Sequence, residues 1–395
     1  MKPLGVYIHI PFCVSKCAYC DFYSRCGTKN EYKKYTDAIV AHISEARMKS
    51  SDYEVDTVYF GGGTPTAIGG KNLLRILKAV KKSFRISGDC EVTCEANPNS
   101  VSYRGLRKLR RGGFNRISFG MQSSSAAELR VLGRTHTFDD VKKAVEAAGK
   151  AKFENISLDL MYGLPSQTEK DFLRSLDDAI SLGVSHISCY SLKLEEGTPL
   201  AERPETLFLP SDDEQADMYL AAVEKLRGEG YIQYEISNFA KEGCRSRHNM
   251  KYWTLGEYWG FGPSAHSLVG KKRFSYVRST AGYIAALKSD GEVIDKIETI
   301  SEAARCGEYL MLGLRTTDGI SGDVLEKKYL TFFDEIEKVL IAYQKTGHAE
   351  NYGEKWRLTP EGFLISNRII GDVLDALENS RHLVRPQNGY VRKDV

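Results

Sequence analysis

Between Val6 and about Gly230 the chain repeats one pattern of apolar and polar positions. A short run rich in β-branched and aromatic residues gives way to a break of Gly, Pro, Asn and Ser. A longer segment follows in which apolar residues recur at helical spacing. The runs VYIHI, DTVYFGG, EVTCEA, RISFGM, ISLDLMY and HISCYSL predict six strands. The stretch from Tyr32 to Ala46, and segments beginning near Asn72, Arg104, Asp139, Glu169 and Asp213, predict helices between and after them. Parallel neighbours need a crossover of about a dozen residues or more, and these intervals supply one each time. The expected class is α/β, a partial TIM-like (β/α)6 barrel, since six units fall short of the eight that close the full one.

Beyond residue 230 the pattern changes. YIQYEISNFA leads into RHNMKYWTLGEYWGFGPSAHS, polar and aromatic with few helix signals, which predicts an irregular extension over residues 231–300 near the barrel mouth. From Ser301, EAARCGEYLMLGLR, LEKKYL and FFDEIEKVLIAY resume helical spacing and predict a small helical domain over 301–395, with a short hairpin near GEKWRLTP. The barrel is thus expected over residues 1–230. No repeat period or low-complexity tract interrupts this division.

Composition narrows the class without changing it. In 395 residues, 42% are hydrophobic and 27% charged, which excludes disordered, collagen-like and coiled-coil chains. Lys and Arg total 55 against 52 Asp and Glu, a net +3 that gives no general field for an acidic partner, and no nucleic-acid partner is expected. No run of about 18 apolar residues appears. The start, MKPLGVYIHIPFC, lacks a signal-peptide layout because its apolar stretch ends at Pro11, so a cytoplasmic location is expected.

The nine cysteines, an odd number, then read as reduced thiols. Three of them, Cys13, Cys17 and Cys20, form CxxxCxxC on the loop directly after the first strand. Barrels of this kind gather function at the carboxyl ends of strands, where Cys13, Gly61 to Pro65, Glu95, Gln122 and Asp159 all fall. Structural zinc usually takes four ligands, yet Cys26 is separated from Cys20 by five residues and His9 lies on the strand. A 4Fe-4S cluster with three protein ligands would leave one iron open to a small molecule. On spacing alone a zinc loop completed from afar stays open. GGGTP lets backbone approach a ligand closely, though a tight turn would read the same; it is neither GxGxxG nor GxxxxGK, so nucleotide phosphates are not implied.

Taken together, YIHIPFCVSKCAYCDFYS, FGGGTPT, CEANP, ISFGMQS and LDLMYGLP resemble radical S-adenosylmethionine proteins, specifically the branch of oxygen-independent coproporphyrinogen oxidases and HemW-type haem chaperones. The likeness runs from about residue 5 to 270 and continues more loosely beyond. It implies that Cys13, Cys17 and Cys20 each bind one iron of a 4Fe-4S cluster whose fourth iron takes S-adenosylmethionine. It further implies Tyr7 and Tyr19 beside cluster and cofactor, Gly62, Gly63 and Thr64 along the methionine portion, and Glu95, Gln122, Arg134 and Asp159 around the remainder. Read without the family, Glu95 and Asp159 are equally suited to pairing with arginines, and Gln122 to capping a loop.

Two features divide the branch. The oxidases carry a further cysteine two residues past the third, where this chain has Phe22, and a long segment ahead of the cluster, where only twelve residues precede Cys13. HNMKYW, His248 to Trp253, matches the HNxxYW signature of the chaperones. The resemblance therefore implies a carrier that binds haem and delivers it to acceptor haem proteins, respiratory ones at the cytoplasmic face of the membrane. In such a carrier His248 would offer an imidazole to haem iron, and Tyr252 and Trp253 would border the ring. The alternatives are coproporphyrinogen dehydrogenation by radical decarboxylation, and another radical enzyme in which HNMKYW only packs. The basic run RGLRKLRR, residues 104 to 111, reads as a solvated helix face with Leu106 and Leu109 turned inward.

Overall fold

Six parallel strands carry the first half of the chain: β1 (Lys2–Ile10), β2 (Tyr53–Gly62), β3 (Arg85–Ala96), β4 (Arg116–Gln122), β5 (Asn155–Tyr162) and β6 (His186–Ser191). They pair in chain order, each parallel to the next. The structure, a computed structural model, describes residues 1–49, 51–202, 207–289, 291–381, 383–384 and 391–392. The crossovers hold α1 (Lys29–Glu45), α2 (Gly70–Ser83), α3 (Tyr103–Gly112), the short α4 (Ala126–Val131), α5 (Phe138–Lys150) and α6 (Glu169–Ser181), and α7 (Asp212–Gly228) follows β6. Reciprocal capping boxes start four of them: Thr28 with Glu31, Thr137 with Asp140, Thr168 with Asp171 and Ser211 with Glu214. Each box satisfies amide hydrogens that the first helical turn leaves without partners, and so fixes where the loop ends. On α3, Leu106 and Leu109 are buried while Arg104, Arg107, Lys108 and Arg111 face solvent, as the spacing predicts.

Period-two alternation makes the two faces of this sheet different. Val6, Ile8, Val58, Phe60, Cys94, Ile117, Phe119, Leu158 and Ile187 are all buried on one side. The other side is polar, and the register places its residues beside one another: Tyr7 by Tyr59, Tyr59 by Thr93, Thr93 by Arg116, Glu95 by Ser118, Ser118 by Ser157, Ser157 by His186, and Asp159 by Ser188. A polar barrel interior at the strand ends is where a site can be built.

The extension expected to be irregular is instead sheet in large part. β7 (Tyr258–Phe261) pairs parallel with the free side of β1, and β8 (His266–Val269), β9 (Lys272–Tyr276) and β10 (Ile294–Thr299) continue antiparallel. These runs are too short and too polar to show an apolar period. Their aromatic residues fit a pleated surface, however, and Gly270 at φ +62° makes the tight turn between β8 and β9. HNMKYW itself lies on a short helix, α8 (Arg247–Trp253), and α9 (Thr280–Lys288) joins β9 to β10.

By contacts, the chain divides into two units. The first is Met1–Tyr231, Phe239–Lys251 and Gly256–Thr299, and the second is Ile232–Asn238, Tyr252–Leu255 and the residues from Ile300 onward. The second unit holds α10 (Glu302–Gly313), α11 (Gly322–Tyr329), α12 (Asp334–Lys345), α13 (Pro360–Leu364) and α14 (Ser366–Arg381). Ala349–Tyr352 and Lys355–Leu358 form the hairpin at GEKWRLTP, and Ile320–Ser321 adds a third strand. Among the described residues no helix is long and apolar enough to cross a membrane.

Candidate functional site

The cysteine loop leaves β1 at Pro11 and is tied down at both ends. Phe12–Cys13 pairs with Arg25–Cys26, and the amides of Gly63 and Thr64 donate to the carbonyls of Ile10 (2.8 Å) and Phe12 (2.7 Å). Glycine is required at that crossing, because a Cβ on Gly63 would stand 2.6 Å from the Phe12 carbonyl oxygen, and Gly62 sits at φ +107°. Within the loop, Ala18 donates to Leu132 O at 3.0 Å and accepts from Leu200 N at 2.9 Å. Tyr19 packs against Leu132, Met161, Leu164, Leu192 and Leu200.

Cys13, Cys17 and Cys20 line a cavity of about 410 Å³ at the ends of β1 to β6. Thr64 Oγ1 donates to Cys13 Sγ at 3.6 Å, and Arg134 Nη1 to Cys17 Sγ at 3.4 Å. Burial pushes the Cys20 thiol up to about 11. Arg134 also donates through Nη2 to Asn97 Oδ1 (3.0 Å) and Gly120 O (2.5 Å), while its buried Nε has no partner. A cation is thus fixed beside the sulfurs with one donor unspent. Gln122 takes φ +63° at a register shift after Gly120, and a Cβ on Gly120 would meet its Nε2 at 2.8 Å.

Deeper in the barrel two carboxyls share the polar face. Glu95 accepts from Tyr59 OH at 2.8 Å, and burial raises its pKa to about 7. Asp159 accepts from Ser118 Oγ and Ser188 Oγ, at 3.1 and 3.0 Å to Oδ1, and burial raises it as well. Arg116, 2% exposed, opposes that rise at both. The sign is set by the folded pKa lying above the unfolded one: Glu95 contributes stability that is complete below about 4.5 and lost as pH climbs through about 7. Glu95→Gln in the cofactor-free chain therefore gains on the parent between pH 4.5 and 8.5, by up to ~3 kcal/mol in urea unfolding. An unchanged difference across that range would show that Glu95 stays ionised in the folded chain.

Tyr19, Gly62, Gly63, Thr64, Glu95, Gln122, Arg134 and Asp159 all line the cavity with the three cysteines. Tyr7 does not; its hydroxyl lies 3.1 Å from His9 Nδ1, and its ring stacks near Tyr59 and His248. His248 departs from the expectation of an imidazole open to a ligand. It is 1% exposed, 2.9 Å from Thr57 Oγ1 through Nδ1, stacked 5.1 Å from Tyr59, and pushed down by burial to about 3. Gly5 makes room for it, since a Cβ there would lie 3.2 Å from His248 Cε1. Tyr252 and Trp253 are half-buried and belong to the second unit. Asn249 is the member of HNMKYW that lines the cavity.

Sequence reasoning missed Tyr59, Arg116, Ser118, His186 and Ser188, which also line the cavity. Their signal was the alternation itself: each lies an even number of residues from another inward polar position on its own strand, as Arg116 does from Ser118.

A parallel partial barrel with three loop cysteines at the mouth of a polar cavity defines the radical S-adenosylmethionine class, and residues 7–179 match the family model of the Radical SAM superfamily. The class carries a 4Fe-4S cluster and S-adenosylmethionine. Among solved structures, the coproporphyrinogen III oxidase HemN from Escherichia coli superposes with a TM-score of 0.83 at 22% identity, over 94% of this chain and 90% of that one. That likeness concerns the fold. The heme chaperone HemW of Bacillus subtilis is 35% identical over 94% of this chain and its own full length. The HemW proteins of Mycobacterium tuberculosis and Escherichia coli are 33% and 31% identical, each over 94% of this chain and at least 95% of their own. The chain belongs to the HemW family.

Proposed function

We propose that this chain binds haem and passes it to acceptor haem proteins, and that it does so carrying a 4Fe-4S cluster and S-adenosylmethionine. The observation that carries the reading is the likeness to heme chaperones over nearly the whole of both chains, extension and second unit included. Phe22 supports it: the residue standing where the oxidases have a further cysteine is 65% exposed at the cysteine cavity.

The residues present fit the cofactors. Cys13, Cys17 and Cys20 would each hold one iron, and the crossing at Gly62, Gly63 and Thr64, which a Cβ would fill, would take the methionine portion. Tyr19, Glu95, Gln122, Arg134 and Asp159 would surround the rest, with the unspent Arg134 Nε as a donor. When bound, the pair supplies single electrons and a source of an adenosyl radical. The chain's own part is to keep a positive charge 3.4 Å from Cys17 Sγ and to hold the Glu95 carboxyl through Tyr59.

In this reading the chain divides by task, with cluster and cofactor on residues 1–230, cargo handling on 231–300 and the helical domain on 301–395. Among the described residues no cysteine forms a disulfide, which suits a reducing, cytoplasmic compartment. The acceptors we assign are respiratory haem proteins met at the cytoplasmic face of the membrane. Anaerobic haem titration followed by mixing with a haem-free acceptor tests the reading: haem binds, then moves to the acceptor, and coproporphyrinogen incubated in parallel is unchanged. Sustained protoporphyrinogen formation with no haem transfer overturns it in favour of the oxidase.

A further inference from the structure

A second cavity, of about 740 Å³, is built by the sheet extension and shares no lining residue with the cysteine cavity. Its volume falls within the roughly 300–1,000 Å³ typical of ligand and cofactor sites. Trp259, Phe274, Tyr276, Ile294 and Ile297 line it from the strands, and His42 lines it from α1. Trp259 Nε1 donates to Tyr276 OH at 3.2 Å, which fixes both rings and leaves their apolar surface to the cavity. Ile297 is 56% exposed, an apolar side chain left to solvent between Lys296 and Glu298. With the rings of Trp259 and Tyr276 it gives the cavity an apolar wall.

His42 gives this cavity a chemical direction. Its ring is buried edge-on against Phe261 and Tyr276, at centroid distances of 5.1 and 4.9 Å. Nδ1 lies 2.6 Å from Tyr283 OH, which also accepts from the Gly262 amide at 3.1 Å. Burial pushes the imidazole down to about 4, so it is neutral at physiological pH. Among the described residues Nε2 has no hydrogen-bond partner. With the ring proton on Nδ1 and donated to that hydroxyl, Nε2 keeps its lone pair toward the cavity, the arrangement of metal-ligating histidines. Lys272 is the cation of the cavity, and Glu45 and Asp52 are its anions. A ligand with carboxylates on one edge would be turned toward the first and away from the others.

The ligand that meets these conditions is flat, largely apolar, anionic along one edge and centred on a metal that accepts imidazole. Resting on the haem-carrier reading, we propose that this cavity holds the haem, with His42 as an axial ligand to its iron and Lys272 facing the propionates. The cargo would then sit apart from the cluster cavity.

Haem titration of the full chain, reconstituted anaerobically and followed by the haem absorption spectrum, tests this. His42→Ala is expected to weaken binding about tenfold or more and to change the spectrum to that of a different iron ligation. Ile297→Asp, at an exposed position where folding is preserved, is expected to weaken binding while keeping the ligation spectrum. Haem bound with parental affinity and spectrum by both variants overturns the site and leaves the carrier reading standing. Loss of binding in His248→Ala with none in His42→Ala does the same, moving the cargo to HNMKYW. A parent chain that binds no haem overturns both.

Discussion

Replacing Cys17 with Ala removes the cluster: iron after anaerobic reconstitution falls from about four per chain to below about one, and the visible absorption of the cluster goes with it. The size of the effect follows from Cys13, Cys17 and Cys20 being the only thiols among the described residues that line the cavity. In the proposed ligand set each holds one iron. Cys26, although paired in register with Cys13, donates its thiol to the Val14 carbonyl at 3.4 Å and lies exposed. Cys26→Ala accordingly keeps the full iron content. A single zinc retained by the parent chain, or iron retained by Cys17→Ala, would be incompatible with this ligand set.

Arg116→Met carries the largest expected cost to stability. The guanidinium is buried at the start of β4, where it holds down the pKa of Glu95, Asp159 and Tyr59 together. Methionine keeps most of the volume and removes the charge, leaving the Glu95 and Asp159 carboxyls with one cation fewer, while Arg134 still acts on Asp159. Removing one partner of a buried charged group costs ~3–5 kcal/mol. The pH dependence separates charge from packing. Without Arg116 the folded pKa of both carboxyls rises further above the unfolded value, so the deficit is smallest near pH 5, where Glu95 is already protonated in the fold, and grows toward pH 8.5. Urea unfolding of the cofactor-free variant at the two pH values measures it; an equal deficit at both would assign the loss to packing.

The barrel was legible because each of its six strands is an apolar run closed by a turn residue and followed by a long amphipathic interval, and helix starts such as Glu169 are marked by the Thr168 and Asp171 box. The site was legible for a different reason: Cys13, Glu95, Gln122 and Asp159 are conspicuous residue types at strand ends. What stayed hidden depends on pairs distant in sequence. Nothing near Arg116 announces that Thr93 lies beside it, and nothing in HNMKYW shows that α8 turns His248 toward Gly5 and Thr57. The strands at Tyr258 and Lys272 escaped notice because they are stabilised by joining an existing sheet edge rather than by an apolar period of their own.

Strand β1 has a neighbour on each side, β2 and β7, so it is an interior strand of the sheet rather than its first edge. In amide exchange with deuterated water its backbone hydrogens belong with the slowest class, released only when the unit opens as a whole, whereas β10 at the far end of the extension releases its own through local fraying. The cysteine loop springs from that slow strand. A cluster lost to oxygen is therefore expected to be rebuilt on a strand frame that stays folded.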